Sequence, residues 1–299
     1  MKRSRSMIIF FLAPAIFTYV VAYLYPTIQT AIFSFFHVSS FGGADMSFVG
    51  LDNFTQTVRT PQFLISLKNI LVIWLVGGAI IFFLAFLFTA LLTSGIRGKN
   101  FFRAVIYLPN IVSSVAIAAM WTQYIFQPRY GLFKSFFALI GLETISKFQW
   151  TASEHIFWAM LVAYIWGGVG WFLLLILAGA ERIPMDYFEV ARLDGANVIQ
   201  SFLLITVPLL RDVIRVAVVM WSINVINLFA FPRNFTPVAQ PNETFTPAIF
   251  LYNKAFGGGT GTQPIQIGQA AAVGILLLLM VLVASAIVNR VIRSETLEY

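Results

Sequence analysis

Hydrophobic residues run along this chain in long blocks separated by short polar stretches. A helix crossing the hydrocarbon core of a bilayer needs about 20 consecutive apolar residues. Six stretches meet that length: Met7 to Tyr25, Asn69 to Leu92, Ala104 to Phe126, Ile156 to Ala180, Val213 to Phe231 and Ile267 to Val288. The pattern predicts an all-α polytopic bundle of about six transmembrane spans. No internal repeat, low-complexity run or soluble domain interrupts it, so residues 1–299 read as a single membrane domain. The basic start, Lys2-Arg3-Ser4-Arg5, and the small-residue stretch Ala13-Pro14-Ala15 imitate a cleavable signal. The apolar run continues to Tyr25, however, so an uncleaved first helix is expected.

Composition sharpens this picture. The 299 residues are 59% hydrophobic and 10% charged, whereas soluble domains carry about 25% charged residues. Twelve acidic residues are too few to clothe a soluble surface of this size. The net charge of +7 does not point to nucleic acid, because the basic residues are scattered through short loops and form no block. Topology accounts for them better. Arg59, Lys68, Arg129, Lys134, Lys147, Arg233 and Lys254 fall on one side, and the other twelve of the 19 fall on the side of the termini. By the positive-inside rule both termini are expected in the cytoplasm.

The absence of cysteine excludes a disulfide framework or thiolate chemistry, and the two histidines, His37 and His155, lie in connecting segments. No Asp, Glu or His falls within an expected span. That argues against an ion-coupled secondary transporter, which ordinarily binds its ion on such groups, although sodium sites built from backbone carbonyls stay open. A phosphate-cradling glycine loop is also missing. Gly98-Lys99 lacks the upstream glycine and the following hydroxyl residue, and Gly257-Gly258-Gly259 has no lysine. Energy for transport would have to come from a partner.

The longest cytoplasmic connection, residues 181–211, reads as two short helices with a turn. Pro184 suits a first helical position, Asp186 the first turn, and Asp194-Gly195 a stop with glycine in the left-handed conformation. A second segment is expected from Asn197 to Val207, ending at Pro208. Tyr187, Phe188, Val190, Leu193, Phe202 and Leu203 are too many large apolar residues for a solvated turn. Two readings remain open: a docking element for another protein, or a loop resting on the membrane with Glu189 paired to Arg192.

Glu189-Val190-Ala191, Asp194-Gly195-Ala196, Phe202, Ile205 and Pro208 resemble the EAA loop of binding-protein-dependent ABC importer permeases. Its pattern is Glu-Ala-Ala, a Gly four positions after the second Ala, then Ile-x-x-Pro; Val190 stands where the pattern has its first alanine. The resemblance implies a type I importer fold in a bacterial cytoplasmic membrane. It also implies that Glu189, Ala191, Asp194, Gly195, Ala196, Ile205 and Pro208 couple this chain to a cytoplasmic ATPase subunit. The implied partners are a second permease, making a heterodimer, two ATPase subunits and an extracytoplasmic solute-binding protein. ATP and magnesium would be held by the ATPase subunits, with no cofactor on this chain, itself not an enzyme.

Three further stretches resemble the carbohydrate-uptake branch, which includes the maltose and glycerol-3-phosphate permeases. They are Phe11-Leu12-Ala13-Pro14 with Tyr25-Pro26, the segment from Phe48 to Phe54, and Phe101-Phe102-Arg103 through Leu108-Pro109 to Trp121. Gly268-Gln269-Ala270-Ala271-Ala272 fits the start of that branch's final helix. Residues 236–241 depart from its Thr-x-Gly-Gly-Pro pattern. The implied cargo is a carbohydrate; an osmoprotectant or amino acid is the alternative within the importer class. A sugar needs hydrogen-bonding groups and aromatic faces along its path. Trp221, Ser222, Asn224 and Asn227 in the fifth span, and Tyr164 and Trp166 in the fourth, are the candidates. The same amides also suit cross-linking of neighbouring helices, and the tryptophans suit contact with membrane lipid.

Overall fold

The computed structural model describes residues 5–39, 45–236, 240–258 and 264–292. Lys2, Arg3, Arg293, Gly259 and residues 237–239 of the departing outer loop lie outside the described residues. The described chain is helical apart from one antiparallel pair of two-residue strands, β1 (Phe36–His37) and β2 (Ser47–Phe48). In order, the helices are α1 (Ile9–Phe33), α2 (Asp52–Arg59), α3 (Pro61–Thr93), α4 (Lys99–Ile111) and α5 (Ser114–Ile125). The short pair α6 (Leu132–Leu139) and α7 (Glu143–Ser146) precedes α8 (Ile156–Ala180). Next come α9 (Met185–Leu193), α10 (Val198–Leu209), α11 (Arg211–Ile226) and α12 (Ala230–Phe235). The chain closes with α13 (Pro247–Phe256) and α14 (Ile267–Val291).

All six expected apolar blocks are helical, but they differ in form. Among the described residues four helices, α1, α3, α8 and α14, are long and apolar enough to cross a membrane unbroken. The first is already helical at Arg5 and runs past Tyr25, through Pro26 to Phe33. A π turn at Val20–Leu24 just before Pro26 absorbs the missing N–H. The second starts at Pro61 rather than Asn69, because Pro61 opens a helix readily.

The third block is not a straight span, since α4 and α5 meet at 97°. Pro109 weakens the end of α4, Val112 turns extended (φ −76°, ψ 138°), and the Ser113 hydroxyl caps α5 by accepting from the Ala116 N–H at 3.3 Å. The fifth block stops at Ile226, not Phe231, where Asn227 folds its amide onto the Ile223 carbonyl (2.9 Å). At 1.5 Å per residue its 16 residues reach about 24 Å, short of a hydrocarbon core of about 30 Å.

The chain divides into two compact units. The first, residues 1–64 and 248–279, is held by a polar lock between two of the sequence motifs. Asn53 is buried and donates from Nδ2 to the carbonyls of Ser34 (3.0 Å) and Phe36 (2.9 Å). Gly268 lies so close that a Cβ there would overlap the Phe36 carbonyl oxygen. Phe63 and Phe250, both almost wholly buried, pack rings 5.5 Å apart.

The second unit, residues 65–247 and 280–299, is built around α8, which packs against α3, α4, α5 and α11. Small residues make these approaches possible. Ala159 and Ala163 are fully buried, and a side chain at Gly170 would strike the α4 backbone at Ile106 and Tyr107.

Candidate functional site

Two features of the second unit bear on function, one at each of two places along α8 and α11. The first is the loop after α8. Pro184 occupies the N-cap of α9, one position earlier than expected, and Asp186 lies in the first turn. The helix ends in a complete Schellman motif. The Ala196 N–H donates to the Ala191 carbonyl (2.9 Å) and the Gly195 N–H to that of Arg192 (3.1 Å). Gly195 takes φ +79° with open space around it, so its requirement for glycine is one of backbone conformation alone.

Asn197 then starts α10 with a capping box. Its Oδ1 accepts from the Gln200 N–H, and Gln200 Oε1 accepts from the Asn197 N–H, both at 2.9 Å. The second helix does not end at Pro208; it continues to Leu209. A π turn at Phe202–Thr206 carries the Val207 N–H to the Phe202 carbonyl, so the proline is taken in without ending the helix.

The apolar residues of this loop divide cleanly. Ala191 and Phe202 are buried, with Phe202 edge-on to Phe86 of α3 at 6.4 Å. Tyr187, Val190, Leu193 and Leu204 are exposed, Leu193 to 88%. An open cleft of about 620 Å³ separates the two helices, bounded by Pro184, Asp186, Tyr187, Val190, Asp194 and Ile205. Glu189 is exposed and, among the described residues, forms no ion pair with Arg192. The carboxylate that does pair nearby is Glu181, 3.7 Å from Arg103 of α4.

The second feature is a cavity of about 570 Å³ between α4, α5, α8 and α11. Tyr164, Trp221, Asn224 and Asn227 all line it, together with Asn110 and Trp171. Its described lining holds aromatic rings and neutral amides, and no charged side chain. Trp221 is the fixed wall. Only 2% exposed, it donates from Nε1 to the Trp74 carbonyl (3.0 Å) and packs against Tyr164 and Phe172. The partner carbonyl sits in a π turn, Ile73–Gly77, and a side chain at Gly78 would collide with the indole.

Two of the sequence-predicted residues lie elsewhere. Ser222 is buried behind the cavity, accepting from Trp74 Nε1 at 2.9 Å and donating to the Val218 carbonyl at 2.8 Å. Trp166 turns away toward Trp121, ring centroids 5.7 Å apart. Asn110 was not anticipated; its amide reaches the Gly167 carbonyl at 3.4 Å. A lone amide in an apolar run immediately after a proline was the available signal.

Comparison with known proteins agrees with this architecture. Residues 84–295 match the family described as binding-protein-dependent transport system inner membrane component. The probable ABC transporter permease YurN of Bacillus subtilis is 30% identical over 92% of this chain and 92% of its own length. The diacetylchitobiose uptake permease NgcF of Streptomyces coelicolor is 28% identical over 83% of this chain and 72% of its own. A chain of a bacterial ABC transporter that imports the polysaccharide alginate superimposes with a TM-score of 0.75 at 20% identity, covering 96% of both chains. With the matched family spanning most of the sequence, this chain belongs to the inner-membrane components of binding-protein-dependent transport systems.

Proposed function

We propose that this chain is the permease subunit of an ATP-binding-cassette importer that carries a carbohydrate across the bacterial cytoplasmic membrane. The observation that carries the reading is the neutral, aromatic- and amide-lined cavity bounded by Tyr164, Trp171, Trp221, Asn110, Asn224 and Asn227. A sugar stacks its CH faces on rings and exchanges water for amide hydrogen bonds. An amino acid carries an ammonium and a carboxylate, and such a lining offers the carboxylate no counter-charge. The relative named for diacetylchitobiose uptake supports the same cargo class.

In this reading a second, different permease completes the path, a solute-binding protein delivers the sugar, and two ATPase subunits hold ATP and magnesium. Both termini and the 181–211 loop face the cytoplasm. The Tyr187, Val190 and Leu193 face of α9 and the exposed Glu189 meet the ATPase groove, while buried Phe202 ties the loop to α3. A rigid element held in a moving partner turns ATPase closure into tilting of the attached spans.

The test is purification of the tagged chain in mild detergent, followed by identification of co-purifying proteins and an ATPase assay. A second permease and an ATPase, with hydrolysis raised by sugar-loaded binding protein, are expected. A lone chain that transports under an ion gradient would instead establish a secondary carrier.

A further inference from the structure

The helical hairpin α6–α7, between α5 and α8, plays no part in the loop or the cavity, yet its surface is built for a specific surrounding. One face of α6 is clamped to the protein. Phe133 packs against Phe126 at 5.4 Å, Trp121 at 6.0 Å and Trp150 at 5.7 Å, and Phe126 stacks on Trp150 at 5.5 Å. Phe126 directly follows α5 and Trp150 shortly precedes α8, so these rings pin α6 at the start of α8. Twenty-five residues of helix, about 37 Å, separate that end from the α9 loop. The pinned depth is that of the boundary between hydrocarbon and headgroups on the face opposite the loop.

The outward face of α6 is apolar as well. Leu132 (63% exposed), Phe136 (56%), Leu139 (85%) and Ile140 (50%) recur at helical spacing, and Leu142 extends the patch into the turn. Each exposed square ångström of such surface costs about 25 cal/mol in water. Arg129 and Lys147 flank the hairpin, exposed, with Lys147 Nζ paired to Glu143 Oε2 at 2.8 Å, and Lys134 is half-buried on α6 itself.

We propose that α6 lies in the plane of the bilayer interface, with Leu132, Phe136 and Leu139 among the acyl chains and the flanking cations at the headgroups. A helix tethered to α5 on one side and to the membrane-crossing α8 on the other is held close to the lipid boundary. Long basic side chains beside an apolar helical face are suited to reaching headgroups from that position. The proposal rests on membership of the inner-membrane family and is independent of the cargo.

The chain contains no cysteine, so a single introduced thiol reports from one place. The complex purified through this chain carries a spin label at Leu139→Cys or, separately, at Glu154→Cys, an exposed loop position, and is placed in phosphatidylethanolamine/phosphatidylglycerol nanodiscs. Collision rates with oxygen and with a water-soluble nickel chelate are compared. The expected result is an oxygen-to-nickel ratio at Leu139 several times that at Glu154. Nickel access at Leu139 equal to that at Glu154 would place the face in water. A label at Leu139 immobilised and shielded from both reagents would place it under another protein, and either result overturns the proposal.

Discussion

Trp221 shows how much a single residue carries. It fills the space left by Gly77 and Gly78, bonds to the Trp74 carbonyl and walls the cavity. Trp221→Ala removes a buried indole and its hydrogen bond to the Trp74 carbonyl, a loss of about 3–5 kcal/mol in comparable cores. A clear fall in the midpoint of thermal unfolding in detergent is expected. Asn224 stands differently: exposed on the cavity side, it forms no side-chain hydrogen bond among the described residues. Asn224→Ala is therefore expected to leave the unfolding midpoint unchanged while raising the sugar concentration needed for half-maximal uptake. Gly195 was legible from sequence because Asp-Gly after a helical stretch asks for a left-handed residue, and the φ of +79° agrees. The diversion of Ser222 and Trp166 was not legible, because what they face, Trp74 and Trp121, is distant in sequence and set by packing.

At the scale of elements, the α9–α10 loop is held by its own terminal hydrogen bonds more than by burial. Asn197→Ala deletes half of the capping box, which is worth about 0.5–2 kcal/mol. Faster amide hydrogen exchange in residues 198–201 than in the parent, with the membrane helices unaffected, is the expected readout. Gly195→Pro is more severe, since proline cannot adopt a positive φ. Assembly in the membrane should persist while ATPase stimulation by loaded binding protein is lost. Periodicity located every long helix, since an apolar run of spanning length has few other solutions. It missed the bend between α4 and α5 and the early stop of α11. Both are decided by a capping side chain, Ser113 and Asn227, within runs that remain apolar on average.

At the scale of the molecule, the proposed function makes this chain a permease that contributes a path and a docking element and leaves energy to its partners. Glu189, exposed and outside any ion pair with Arg192, is free to meet a basic partner surface. Glu189→Ala is expected to lower sugar-stimulated ATP hydrolysis in the assembled complex with little change in the amount assembled. Undiminished stimulation would remove Glu189 from the docking face. The two-motif lock of the first unit, Asn53 on Ser34 and Phe36 beside Gly268, shows why separated sequence stretches matched a family together. They are neighbours in space.

The 97° break between Ile111 and Ser114 also bears on hydration. Peptide groups that leave helical geometry cannot face lipid; at membrane depth they persist only against protein or in a water-filled space. Val112 and Ser114 border the same cavity as Asn110, Asn224 and Asn227. Under the proposed function this cavity is then a solvated vestibule, where an arriving polyol trades one set of hydrogen bonds for another instead of being stripped bare.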